Sequence, residues 1–143
     1  MKRVCDLLRD KGQDIWSLTP DATVYEAIDQ MAQKGVGALL VMEGERLVGI
    51  VSERDYARKV ILKGKASREI QVGEIMSHPV ICVSPEQTVE ETMALMTDKH
   101  IRHLPVVVAE TVVGVISIGD VVRSIIDDKE YYIQQLTTYI TSS

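Results

Sequence analysis

Apolar positions along the chain fall into two alternating arrangements. Val24, Ala27, Ile28 and Met31 recur at the three-and-four spacing of one helix face, and Val89, Thr92, Met93 and Met96 repeat that spacing further on. Each helical stretch is followed by two short, almost uninterrupted apolar runs: 38–42 and 47–51, then 104–108 and 112–116. Runs of that length and β-branched content predict strands covered on both faces. Shorter runs at 15–18 and 80–83 predict one more strand ahead of each helix. Thr19-Pro20-Asp21 and Ser84-Pro85-Glu86 supply the turns between. Thr23-Val24-Tyr25-Glu26 and Thr88-Val89-Glu90-Glu91 read as capping boxes, in which a hydroxyl and a carboxylate satisfy the first free amides of a helix reciprocally. Gly35 suits the position just past the first of these helices. Second helices are expected over about 53–63 and 118–127, with the polar stretch 63–67 as the linker between halves. Each half therefore reads β-α-β-β-α. A short apolar cluster precedes it, 4–8 in one case and 72–76 in the other.

The two halves are copies. Shifting the chain by 65 residues aligns 20–55 with 85–120 without a gap, and 13 of those 36 positions are identical. The identities include Pro20, Thr23, Val24, Glu26, Leu39, Val41, Gly49, Ser52 and Asp55, far more than chance supplies, so the architecture is a repeat. The leading clusters are offset by 68 instead. A copy alone, at about 60 residues, buries so little of its unfolded surface that it is marginal, so the two are expected to share a core.

Composition narrows the functions. The 143 residues carry 16 basic and 21 acidic side chains, a net charge of −5 that argues against sequence-blind nucleic-acid binding. No Phe and one Trp leave core packing to Val, Ile, Leu and Met. Cys5 and Cys82 have no metal-ligand or paired spacing, so reduced thiols are expected. The start, Met1-Lys2-Arg3-Val4-Cys5-Asp6, does not read as a signal peptide, and no run of 18 apolar residues is present, so the expected place is the cytoplasm, with no membrane span. Nucleophile elbows, metal-ligand clusters and phosphate-cradling glycine loops are missing from the sequence. His78, His100 and His103 have no orienting acid close in sequence. Catalysis is not expected, and no metal is called for.

The repeated chemistry lies at the end of the last strand of each copy: Gly49-Ile50-Val51-Ser52-Glu53-Arg54-Asp55 and Gly114-Val115-Ile116-Ser117-Ile118-Gly119-Asp120. Ser-x-x-Asp after a strand is, structurally, a helix N-cap with an acid in the first turn. The same geometry can serve a ligand. A helix start offers free amides and positive potential to an anion, and an acid one turn in can accept both hydroxyls of a ribose. The two uses are compatible.

This doubled β-α-β-β-α unit, with its doubled Gly-apolar-apolar-Ser-x-x-Asp and with Ile101-Arg102-His103-Leu104-Pro105-Val106, resembles a tandem pair of CBS domains, the Bateman module. In particular it is similar to the small stand-alone bacterial two-CBS proteins. The resemblance implies an α/β (α+β) fold: CBS repeat 1 over 4–66, CBS repeat 2 over 72–127, related by a pseudo-two-fold. It also implies a regulatory, non-catalytic function. Adenosine-containing ligands (AMP, ADP, ATP, NAD or S-adenosylmethionine) bind in the family's clefts between the repeats, and two chains pack as a homodimer that signals to a protein target. Carried over residue by residue, the ribose acids fall on Asp55 and Asp120 and the hydroxyls on Ser52 and Ser117. The strand residues flanking the base fall on Ala38, Val51, His103 and Ile116. Phosphate candidates are Arg54, Arg102 and His103, with Arg58 and Lys59 further along the helix. Copy one has Gly37-Ala38 where copy two has Arg102-His103, and copy two has Gly119 where copy one has Arg54, so the two sites are expected to be unequal. The alternative is a structural dimerisation module with empty clefts, since capping alone could account for the Ser-x-x-Asp pairs. Beyond the repeats, 128–143 carries Tyr131, Tyr132, Ile133, Leu136, Tyr139 and Ile140 and reads as an amphipathic helix. It is expected to dock either on its own repeats or, preferably, on a second chain.

Overall fold

A computed structural model describes residues 2–142; Met1 and Ser143, the last residue of the expected tail helix, lie outside them. The elements are α1 (Val4–Lys11), β1 (Ser17–Leu18), α2 (Val24–Lys34), β2 (Ala38–Glu43), β3 (Arg46–Ser52), α3 (Glu53–Tyr56) running into a π-helical segment (Ala57–Ile61), α4 (Val72–Ile75), α5 (Val89–Lys99), β4 (His103–Val108), β5 (Thr111–Ser117) and α6 (Ile118–Ser142). Mixed helix and strand in two repeats is what the pattern predicted. The leading strands are shorter than expected. β1 keeps two residues, paired parallel to β2 at Leu40 and Val41. Its counterpart is reduced to one parallel bridge, Val83 to Val106. The repeat helix expected at 118–127 and the tail expected at 128–143 form one helix, because no residue between Asp127 and Lys129 breaks it.

Both capping boxes form. Thr23 Oγ1 accepts from the Glu26 amide at 3.1 Å while the Thr23 amide donates to Glu26 Oε2 at 3.1 Å. Thr88 and Glu91 repeat the arrangement at 3.1 and 3.3 Å. Gly35 ends α2 in the left-handed region at φ 67°, and His100 holds the same place after α5 at φ 57°. β2 and β3 pair antiparallel, Ala38 opposite Ser52 and Leu39 opposite Val51. Three consecutive buried residues, Leu39–Val41, show that both faces of β2 are covered, whereas burial alternates along β3.

The packing units are not the sequence repeats. Unit 1 comprises 1–13, 82–108 and 113–143; unit 2 comprises 14–81 and 109–112. The short helix leading each copy is therefore packed with the other copy's elements. In unit 1, the Val4 and Cys5 amides donate to the carbonyls of Gln87 and Pro85, and the Val89 amide to that of Lys2. In unit 2, the Val72 and Gly73 amides donate to Ala22 and Pro20, and the Val24 amide to Ile70. Each unit has its own core. Val4, Leu7, Leu8, Val83, Val89, Met96, Leu104, Val106, Ile116 and Val121 form one. Val24, Ala27, Met31, Leu39, Val41, Val51, Val60, Ile70, Val72 and Ile75 form the other.

The two glycines that open the repeated motif are seats for these exchanged helices. A Cβ on Gly114 would lie 2.6 Å from a methyl of Leu8 in α1, and one on Gly49 would lie 2.3 Å from the sulfur of Met76, just past α4. Leu8 and Met76 are themselves 68 residues apart, the offset of the leading clusters.

Candidate functional site

The Ser-x-x-Asp pairs sit at the junctions of β3 with α3 and of β5 with α6. In unit 2, Asp55 is buried, 8% exposed. Its Oδ2 accepts from the Ser52 amide at 2.9 Å and the Ser52 hydroxyl at 3.1 Å, while its own amide donates to Ser52 Oγ at 3.2 Å. Its Oδ1 faces Lys59 Nζ at 3.1 Å. That ammonium also donates to the Ile75 carbonyl at 2.8 Å and so ties α4 to the site. Lys59 thus acts as the counter-ion of Asp55 in this structure.

In unit 1 the ammonium comes from elsewhere. Asp120 Oδ2 accepts from the Ser117 amide at 2.8 Å and from Lys11 Nζ at 2.6 Å, and Arg123 lies 3.7 Å from Oδ1. The Asp120 amide donates to Ser117 Oγ at 3.2 Å, and Lys11 also donates to the Val115 carbonyl at 3.0 Å. Burial pushes the Asp120 carboxyl up. The Lys11 ammonium and the Ser117 amide outweigh that and hold it below the ordinary carboxylate value. Both acids are therefore fixed in orientation by a backbone amide and a lysine, with the charged form favoured at Asp120.

The sites differ at two positions, one of them Lys11, which becomes Pro79 when shifted by 68. Shifted by 65, Lys59 becomes Ser124. Ser124 is 4% exposed, and its hydroxyl has no hydrogen-bond partner among the described residues. Beside Ser124 there is a cavity of about 200 Å³, lined by residues of α1 and α6 and reaching from Lys2 past Leu7 and Lys11 to Asp120, Ser124 and Asp127.

The remaining predicted residues are placed as follows. Ala38 and His103 are half-buried at the starts of β2 and β4, and Arg102 is exposed. The carbonyls just before these strands, Gly37 and Arg102, accept the first amides of α3 and α6 at 3.1 and 2.8 Å. Arg54 is half-buried and Arg58 exposed. Val51 and Ile116, expected to flank a base, are 1% and 0% exposed within the two cores. Strand alternation turns them inward, so neither offers area to a ligand here; their half-buried neighbours on the other face are Ile50 and Val115. Lys11 was not legible as a site residue. It lies 109 residues from Asp120, and only the exchange of α1 brings it there. Arg123 was within reach of sequence reasoning, one turn beyond Asp120 on the same helix. No group of three or more His, Cys, Asp or Glu able to hold a metal ion occurs among the described residues, and no helix there is long and apolar enough to cross a membrane.

Comparison with known proteins adds the family context. The model of the CBS domain family matches residues 4–62 and 72–127. A mitochondrial CBS domain-containing protein of Arabidopsis thaliana is 42% identical over 147 residues, covering 96% of this chain and 71% of its own. The structure of a protein with CBS domains from Burkholderia ambifaria superposes with a TM-score of 0.86 at 48% identity, covering 89% of this chain and 96% of the other. A CBS domain protein from Pyrobaculum aerophilum, complexed with AMP, superposes with a TM-score of 0.74 at 29% identity, covering 82% and 88%.

Proposed function

The chain belongs to the CBS domain family, with two copies in tandem, and on that premise we propose that it is a non-catalytic regulatory module of the cytoplasm that binds adenine nucleotides of the AMP, ATP or NAD class. The observation that carries the reading is the doubled carboxylate, Asp55 and Asp120, each fixed by a serine amide at a strand-to-helix junction. A ribose presents two neighbouring hydroxyl donors, and an oriented carboxylate is their natural acceptor. On binding, the hydroxyls take the oxygen positions now facing Lys59 or Lys11, and the released ammonium is free to meet a phosphate. Ser52 and Ser117 stay as caps and lend a hydroxyl. Arg54, near Asp55 in sequence, and Arg102 and His103 at the start of β4 supply the remaining phosphate contacts, Ala38 is a further contact at the start of β2, and Val51 and Ile116 support the two sites from their own cores. The complex of the Pyrobaculum relative with AMP supports an adenosine ligand. The assembly we assign is a homodimer.

A thermal-shift panel of AMP, ADP, ATP, NAD, NADH and S-adenosylmethionine tests this. A ligand at about 100 times its Kd stabilises the folded chain by about 2.7 kcal/mol. In calorimetry, Asp55→Ala and Asp120→Ala are each expected to cost about 1.5–3 kcal/mol of affinity, the worth of a charge-assisted hydrogen bond, while the protein stays folded. A flat response to the whole panel removes the proposal in favour of a structural dimerisation unit.

A further inference from the structure

α6 is docked only along its first turns. Val121 is fully buried, Ser124 nearly so, and Ile118 and Ile125 pack on the core of unit 1. From Lys129 to Thr141 every residue is exposed, so the helix does not fold back on the repeats. A second face carries Val122, Ile126, Ile133, Leu136 and Ile140, between 36% and 70% exposed. With Lys129 these stand at steps of four, three, four, three and four, a heptad seam. Ile126, Ile133 and Ile140 share one core position of the heptad; Val122, Lys129 and Leu136 share the other. Two core positions in seven make the narrow stripe of a coiled-coil seam. Tyr132 and Tyr139 flank the seam, as aromatics do at interfaces. The exposed stretch 129–141 would be marginal as a helix alone, but here the docked turns already nucleate it.

The flanks argue for a helix rather than a lipid surface, which selects a basic polar face. Beyond the seam lie Asp127, Asp128 and Glu130, and 131–142 contains no charged residue at all. That uneven charge also sets direction. A parallel pair stacks Lys129 on its twin inside the seam and lays the two acidic clusters side by side. An antiparallel pair sets Lys129 against the partner's Ile133, where its stem packs and its ammonium reaches water. It also covers Val122 and Ile126 with the partner's Ile140 and Leu136. We propose that the exposed half of α6 pairs antiparallel with α6 of a second copy of this chain, making a two-stranded coiled coil centred on Tyr131. This assignment stands independently of the nucleotide reading.

The test uses the full chain with Cys5→Ser and Cys82→Ser, carrying either Ile126→Cys or Leu136→Cys. In the proposed register each new thiol lies about 15 Å along the axis from its own twin, too far for a disulfide, and beside the other variant's thiol. Mild oxidation is therefore expected to crosslink the mixture and leave each variant alone largely uncrosslinked. In sedimentation, the unmodified chain is expected to be dimeric, and Leu136→Asp to raise the dimer Kd on the order of 100-fold. Leu136 is exposed in the single chain, so this variant keeps its fold. The proposal is overturned by crosslinking of either variant alone at the rate of the mixture, by a monomeric full chain, by capture of the helix on vesicles without dimerisation, or by a dimer indifferent to Leu136→Asp.

Discussion

Lys11 is the residue on which the unit 1 site depends. Its ammonium offsets the cost of burying Asp120, which is why that carboxyl titrates below its ordinary value. A carboxylate with a lowered folded pKa adds stability that is complete above its unfolded pKa, about 3.9, and is lost as pH falls through the folded value. Lys11→Met is accordingly expected to lower the unfolding free energy by about 0.5–1 kcal/mol at pH 7, a figure already discounted for the partial exposure of the ammonium. The gap from the native protein should close as the pH drops below about 4. Urea melts at neutral and acid pH read this directly; a gap that persists in acid assigns the loss to the Val115 contact instead of the ion pair.

At the scale of elements, the exchanged helices explain glycines that a ligand-centred reading of the motif leaves without a role. Leu8 is branched and 3% exposed, so it has nowhere to retreat from a Cβ on Gly114. Met76 is half-buried and unbranched, and its sulfur can swing away from Gly49. Gly114→Ala is therefore expected to cost about 1–3 kcal/mol, as overpacking does, and Gly49→Ala clearly less. Leu8→Ala alone leaves a cavity and costs about 2–5 kcal/mol. Combined with Gly114→Ala it should cost less than the sum, because the new methyl fills part of the hole. Strict additivity in denaturant melts would show that α1 does not rest on that glycine.

For the molecule as a whole, the consequence is inequality. One acid is served by a lysine on its own helix, the other by a lysine on α1 with a cavity beside it. Arg102 and His103 have no basic equivalents at Gly37 and Ala38. A calorimetric titration with AMP is expected to resolve two sites of different affinity per chain. Arg102→Ala should weaken phosphorylated ligands more than adenosine. Two identical, independent sites in that titration, or equal losses for AMP and adenosine, would contradict the inequality.

Much of this was determined by local order along the chain. The helix period of Val24 to Met31, the Thr-x-x-Glu boxes, the apolar runs of β2 to β5 and the placing of Ser52, Asp55, Ser117 and Asp120 at strand-to-helix junctions all depend on residues within a few positions of one another. The 65-residue repeat then copies them, so pattern alone sufficed. What tertiary structure decided are choices between partners far apart in sequence. The offset of 68 between the leading clusters marks a longer connection in copy one but carries no sign that each helix docks on the other copy. Without that exchange, Lys11 has no reason to meet Asp120, Gly114 has no neighbour, and Ser124 faces no cavity. Val51 and Ile116, which the resemblance placed beside a base, are turned by strand alternation into the two cores. The tail shows the same division: its heptad spacing was legible in the sequence, but only packing revealed that α6 runs unbroken from Ile118 and leaves that seam exposed, because a period specifies a face and not what covers it.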